Sequence, residues 1–158
     1  MKPANIALAA AIALVVASGG AEATGSHAGG HYTFGSPAKP EEATRTVAVT
    51  LDDQMRIQFE LDAVKKGEVL RFVVTNKGAA PHEFSIGDTA SQRAHAAMMK
   101  KMPDMKHEGD PSALTLAPGE TKELTWRFDK QVAGAIEVAC QMPGHYDAGM
   151  VRKIRFDK

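Results

Sequence analysis

Apolar and polar residues alternate with a period of two along much of the chain from residue 46 onward. The clearest row spans 55–61, where Met, Ile, Phe and Leu at odd positions alternate with Arg, Gln and Glu at even positions. Such alternation predicts half-buried β-strands, because successive side chains of a strand point to opposite faces. We predict about eight short strands with turn residues between them, centred on 47–51, 55–61, 70–74, 82–86, 114–116, 124–128, 136–140 and 150–156. This pattern is typical of an all-β sandwich or barrel.

One segment departs from this pattern. Residues 91–105 lack the alternation and have the composition of a helix. We therefore predict a single helical insertion in an otherwise all-β domain.

The N-terminus has the features of a secretory signal peptide. Lys2 supplies the positive charge, residues 6–17 are apolar, and Ala21-Glu22-Ala23 fits a small-x-small cleavage site. The apolar run is shorter than the roughly 20 residues that a membrane-spanning helix needs. We predict a signal peptide at 1–23, cleaved during export to a bacterial periplasm, and no membrane insertion.

The segment that follows, residues 24–44, is rich in Gly, Ser, Ala, Pro and charged residues. We interpret it as a flexible leader that bears His27 and His31. The remaining residues, 45–158, are predicted to form one domain.

The chain has 19 basic and 19 acidic residues, so its formal net charge is zero. A nucleic-acid-binding domain normally carries an excess of basic residues on one face. The charge balance therefore argues against a nucleic-acid partner.

Cys140 is the single cysteine of the chain. Exported proteins usually pair their cysteines in disulfides, and a lone cysteine cannot form one within its own chain. Three interpretations follow: the thiol is buried and inert, free and reactive, or bound to a metal.

The segment from Cys140 to Met150 favours the metal. Cys140 ends a predicted strand, a Pro-Gly turn at 143–144 presents His145, and Met150 begins the next predicted strand. One loop can thus bring a thiolate, an imidazole and a thioether to one point. A second imidazole comes from His82, which starts another strand with inward parity.

Copper chemistry accounts for these residue types. Two His and one Cys with a weak axial Met form the donor set of blue-copper electron-transfer sites. A Cys-His protease is the alternative for Cys140, but no motif for an oxyanion hole accompanies it. A structural zinc site would show paired Cys or His spacings, which the sequence lacks.

The Cys-x4-His-x4-Met spacing, preceded by a distant His on a strand, resembles the cupredoxin family of plastocyanin and azurin. The resemblance covers roughly residues 45–158 and implies a Greek-key β-sandwich with copper near one end. It also implies a type 1 copper site with four ligands: His82, Cys140, His145 and Met150. Four further features resemble the periplasmic copper-tolerance cupredoxins of the CopI type: the Pro81-His82-Glu83-Phe84 run, the Pro-Gly-His145-Tyr146 run, the Met-rich insertion and the His-bearing leader.

Further soft ligands lie in the predicted insertion, namely His95, Met98, Met99, Met102, Met105 and His107. The first four fall at helical spacing on one face or on neighbouring faces. Either these methionines pack against the sandwich, or they form a second, weaker Cu(I) site, since thioether sulfur selects Cu(I). His27 and His31 likewise either belong to a solvated tail or bind Cu(II) weakly.

Two functions of different class follow from these predictions. The first is copper tolerance, in which the protein binds periplasmic copper and carries out one-electron redox at the copper. The second is dedicated electron transfer between larger redox partner proteins. The sequence shows neither a second copper cluster nor an acid-base pair, so we do not expect an enzyme.

Overall fold

The computed structural model describes residues 32–103 and 109–157, and within them the chain forms ten strands and one α-helix. The strands are β1 (Ser36–Pro37), β2 (Arg45–Asp52), β3 (Arg56–Gln58), β4 (Ala63–Lys65), β5 (Val69–Asn76), β6 (His82–Asp88), β7 (Ala113–Leu116), β8 (Thr121–Arg127), β9 (Ala135–Ala139) and β10 (Val151–Asp157). The helix, α1, spans Thr89–Lys101, and a short 3₁₀ turn spans Pro40–Glu42. The prediction of a mostly β fold with one helical insertion is confirmed.

The strands form two five-stranded sheets, in the orders β1-β8-β5-β2-β3 and β4-β10-β9-β6-β7. Most neighbours are antiparallel, whereas β2 pairs with β5, and β4 with β10, in parallel. A parallel pair needs a crossover connection, so the chain passes between the sheets, as expected of a sandwich.

Of the predicted row 55–61, residues 56–58 form a strand, β3 of the first sheet, and β4 of the other sheet begins after the row, at Ala63. The apolar residues of the row are buried in β3 and in the connection that follows it: Ile57 is 3%, Phe59 6% and Leu61 5% exposed. The period of two therefore continues past the end of β3, which explains why the predicted strand is longer than the observed one.

Helix α1 covers the outer face of the second sheet over β6 and β9. Asp88 caps its first turn by accepting a hydrogen bond from the backbone N–H of Ser91. Gln92 of the helix donates to the backbone oxygens of Ser85 in β6 and Glu137 in β9. Both faces of β6 are consequently buried, one between the sheets and one beneath the helix.

Residues 32–44 lie against the sandwich, which differs from the flexible leader predicted for 24–44. Phe34 is 4% exposed and stacks on Trp126, and Tyr32 meets the same indole edge to face. β1 then pairs with β8. The physical reason is that Tyr32 and Phe34, two residues apart, supply aromatic surface that the core buries. Residues 24–31, with His27 and His31, and the predicted signal peptide lie outside the described residues.

No helix within the described ranges is long and apolar enough to cross a membrane.

Candidate metal centre

The loop between β9 and β10 is closed by its own backbone hydrogen bonds. Cys140 N–H donates to the Met150 oxygen at 3.0 Å, and Met150 N–H donates to the His145 oxygen at 3.0 Å. His145 N–H in turn donates to the Met142 oxygen at 2.9 Å. Gly144, with φ of 86°, takes a left-handed conformation that other residues rarely adopt. This closure returns the chain on itself and places residues 140, 145 and 150 at one end of the sandwich.

β6 brings His82 to the same place. β6 runs antiparallel to β9, with Ser85 opposite Ala139, so the start of β6 and the segment that follows β9 lie at the same end of the sheet. Cys140 Sγ is 3.4 Å from His145 Nδ1 and 3.9 Å from His82 Nδ1. One ligand atom from each of His82, Cys140 and His145 lies within 4.8 Å of the others. The structure thus brings together three of the four residues that the sequence predicted as ligands.

Met150 is placed next to these three by the backbone. Its N–H and its oxygen bond to His145 and Cys140, and its side chain is fully buried in the apolar core. Of the four residues, only His145 retains a partly exposed side chain. Access to the centre is therefore from the His145 side.

The thiol of Cys140 is protonated near neutral pH in the metal-free chain. Burial raises its pKa to about 11, while the N–H groups of Glu83 and Met142 oppose the shift by hydrogen bonding to sulfur. The Glu83 N–H lies 3.2 Å from Sγ. A metal that binds here displaces the thiol proton, and these N–H groups then stabilise the sulfur charge.

The imidazole of His145 is held in its neutral form. Burial lowers its pKa, and the neighbouring His82 lowers it further. A neutral imidazole carries the lone pair that a metal requires. The shift thus favours the neutral form of the ring, which can bind a metal.

Asp53 is a further residue of the centre, and the sequence analysis missed it. Its Oδ1 lies 3.0 Å from His82 Nε2, and its carboxylate accepts hydrogen bonds from Ala79 N–H at 2.7 Å and Ala80 N–H at 3.2 Å. These contacts, led by the Ala79 N–H, lower the pKa of Asp53. In the sequence Asp53 is only the second aspartate of a turn, and no local signal indicates a partner 29 residues away.

Glu83 is a second missed residue, and it lies on the helix side of β6. It is fully buried, and its Oε1 is 3.6 Å from Nε2 of His95 in α1. Burial, with the charge of Asp110, raises its pKa to about 8. Glu83 therefore links the helical insertion to the strand that carries His82 and the N–H directed at Cys140.

The soft ligands of the insertion do not share one environment. Met99 is 2% exposed, Met98 is half-buried beside His95, and Met102 is 47% exposed. Met105 and His107 lie outside the described residues. Of the three described methionines in α1 and at its C-terminal end, Met99 alone is buried, so packing explains its presence but not that of Met98 and Met102.

A family profile and several individual proteins are similar to this chain. The profile of copper-binding proteins of the plastocyanin/azurin family matches residues 45–157. The chain is 42% identical over 160 residues to the copper-resistant cuproprotein CopI of Rubrivivax gelatinosus, covering 98% of this chain and 95% of that protein. It is 36% identical over 164 residues to the copper-resistant cuproprotein CopI of Pseudomonas aeruginosa, covering 85% of this chain and 88% of that protein.

Solved structures share the fold at low sequence identity. A dithionite-reduced auracyanin of Roseiflexus castenholzii superposes with a TM-score of 0.60 at 17% identity, covering 73% of this chain and 99% of that one. Auracyanin B gives a TM-score of 0.57 at 22% identity, with 79% and 97% coverage. At these identities the likeness establishes the architecture alone.

Proposed function

Because the chain belongs to the plastocyanin/azurin family of copper-binding proteins, we propose that it holds one copper ion in a type 1 site formed by His82, Cys140, His145 and Met150. The observation that supports this proposal most strongly is the approach of both imidazole Nδ1 atoms to Cys140 Sγ, at 3.9 and 3.4 Å. Two imidazoles, a thiolate and a nearby thioether match the donor set of blue-copper centres.

The bound ion supplies one-electron redox chemistry between Cu(I) and Cu(II). The residues of this chain hold, shield and tune it. Cys140 supplies the thiolate, which the Glu83 N–H stabilises at 3.2 Å. Burial of His82, Cys140 and Met150 excludes water from one side, while the partly exposed His145 ring provides the edge through which electrons pass.

We assign this copper centre to copper tolerance in the periplasm, without an enzymatic role. Relatives at 36–43% identity are named copper-resistant cuproproteins. The test is deletion of the gene, followed by growth over a copper series. Growth at high copper should be restored by the wild-type gene and not by one encoding Cys140→Ala. Equal growth of the deletion strain and its parent would contradict the assignment.

One observation favours electron transfer to a partner protein as the second candidate function. Exposed apolar residues adjoin both imidazoles in the chain: Pro143 lies two residues before His145, and Ala79 and Pro81 lie just before His82. Apolar surroundings permit close and short-lived docking of a redox partner. A respiratory or metabolic defect of the deletion strain at low copper, with unchanged copper tolerance, would favour this second function.

Met150 tunes the centre more than it retains the ion, because the axial thioether of such sites is a weak ligand. Met150→Leu keeps the side-chain volume and removes the sulfur. We expect the visible absorption to remain and the reduction potential to rise. The expected size is roughly a tenfold change in the ratio of Cu(I) to Cu(II) affinity, or about 59 mV for one electron. A redox titration measures this, with Met142→Leu as the matched control. Complete loss of copper from Met150→Leu would contradict the role.

We also propose that the C-terminal end of α1 contributes a second, weaker Cu(I) site. Met98 and Met102 are four residues apart, close to one helical turn, and neither is fully buried. Cu(I) titration of the Cys140→Ala protein against a competing chelator should reveal this site. Joint replacement of Met98 and Met102 by Leu should weaken that binding at least tenfold, whereas Met99→Leu, at a packed position, should not. Absence of Cu(I) binding, or equal binding by all these proteins, would show that the methionines only pack.

A further inference from the structure

A carboxylate lies directly behind one of the two imidazoles of the copper centre. Asp53, in the turn between β2 and β3, places Oδ1 3.0 Å from His82 Nε2. Its side chain is 45% exposed, whereas the His82 side chain is fully buried. The contact therefore joins a buried ring, which has no access to water, to a charged group at the surface.

This contact fixes which nitrogen of His82 carries the hydrogen. An ionised carboxylate can only accept hydrogen bonds, so Nε2 of the neutral ring must be the donor. The remaining nitrogen, Nδ1, then keeps its lone pair, and Nδ1 is the atom that lies 3.9 Å from Cys140 Sγ. The tautomer selected by Asp53 is thus the one that presents a lone pair to the copper site.

The backbone around Asp53 is arranged to hold the carboxylate in this position. N–H groups of Ala79 and Ala80 donate to its two oxygens at 2.7 and 3.2 Å. Gly78 leaves the space that the pair occupies, since a Cβ at this position would overlap Asp53 Oδ1 and approach His82 Nε2 to 3.0 Å. Three consecutive residues of the loop before β6 therefore hold the Asp53 carboxylate in contact with His82 or leave space for that contact.

We propose that Asp53 is a positioning residue of the copper centre, which selects the metal-binding tautomer of His82 and favours Cu(II) over Cu(I). The proposal rests on the proposed type 1 site. A hydrogen bond to a carboxylate increases the electron donation of an imidazole ligand. The ion with the higher charge gains more from this donation, so Cu(II) is held more tightly while Cu(I) is affected less.

Asp53→Asn tests the proposal with a change of few atoms. We expect Cu(II) affinity to fall about tenfold, the lower end of the range for lost partners of metal-ligating histidines. Cu(I) affinity should change by less than threefold, so the reduction potential should rise. The two affinities are measured separately with Cu(II)-specific and Cu(I)-specific competing chelators. If Asp53 had only a structural role, its loss would weaken the binding of Cu(II) and Cu(I) equally and leave the ratio of the two affinities unchanged.

Two further variants separate the contact from the charge. Asp52→Asn removes the same charge one residue away, where the carboxylate bonds to Gln54, Arg56 and Gln58 instead of His82. This control should keep the wild-type affinity ratio. Gly78→Ala keeps the charge of Asp53 but displaces it from His82, so it should shift the ratio in the same direction as Asp53→Asn.

The metal-free protein gives an independent readout. Long-range proton–nitrogen NMR spectra should show His82 with its hydrogen on Nε2 in the wild type, and a mixture of tautomers in Asp53→Ala. An unchanged affinity ratio in Asp53→Asn, or a wild-type His82 with its hydrogen on Nδ1, would overturn the role of Asp53 and leave the copper centre standing. A wild-type protein that binds no copper through Cys140 would instead overturn the centre, and the role of Asp53 with it.

Discussion

Replacing Cys140 with alanine is expected to remove the intense visible absorption of the Cu(II)-loaded protein completely. The band arises from charge transfer between a thiolate and Cu(II), and Cys140 is the single cysteine of the chain. No other sulfur can replace it, because thioethers do not ionise. The measurement is a Cu(II) titration followed by absorption spectroscopy, with bound copper determined after dialysis.

Two controls make this result specific. Cys140→Ser keeps the size and a polar atom but lacks the soft sulfur, so it should also be colourless. Met142→Leu alters a neighbouring sulfur of the same loop and should keep the colour. A Cys140→Ala protein that retains the visible band would contradict the role of the thiolate.

Replacing Phe34 with alanine is expected to destabilise the metal-free protein by about 3–5 kcal/mol, the usual cost of truncating a buried aromatic side chain. Phe34 is 4% exposed, and its ring centroid lies 5.3 Å from that of Trp126 in β8. Its loss leaves a cavity beside the largest buried side chain of the core. Urea unfolding of the metal-free protein measures the free energy of unfolding directly.

The matched control is Glu41→Ala, an exposed position of the same N-terminal segment in the 3₁₀ turn. This substitution should change stability by less than about 0.5 kcal/mol. If Phe34→Ala costs as little as Glu41→Ala, residues 32–44 do not contribute to the stability of the sandwich.

Much of the fold could be predicted from local patterns. The period of two located eight of the ten strands, because one face of each is buried against the opposite sheet, and the loss of that period located α1. It did not locate β1 and β4, which are only two and three residues long. The contact of Tyr32 and Phe34 with the sandwich was not predicted, because their partner, Trp126, lies about 90 residues away in a sequence that is rich in Gly and Pro around the two aromatic residues. Local composition does not report such a distant contact.

The candidate ligands could be predicted because their chemistry is unusual in itself. A lone cysteine, a histidine and a methionine lie close together on one loop, so their spacing can be recognised in the sequence. Asp53 and Glu83 lack such a signal. An aspartate in a turn is ordinary, and a glutamate in a strand normally faces solvent. Their positions at the centre depend on how β2, β6 and α1 pack together, which is a tertiary property.

The central claim is that Cys140 and two histidine Nδ1 atoms hold copper in a type 1 site. The most direct measurement is the combined visible and EPR spectrum of the wild-type protein loaded with one equivalent of Cu(II). We predict an intense thiolate-to-copper band together with a narrow copper hyperfine splitting, both reaching a maximum at one copper per chain. A colourless protein with the wide hyperfine splitting of an ordinary Cu(II) complex at full loading would contradict the claim.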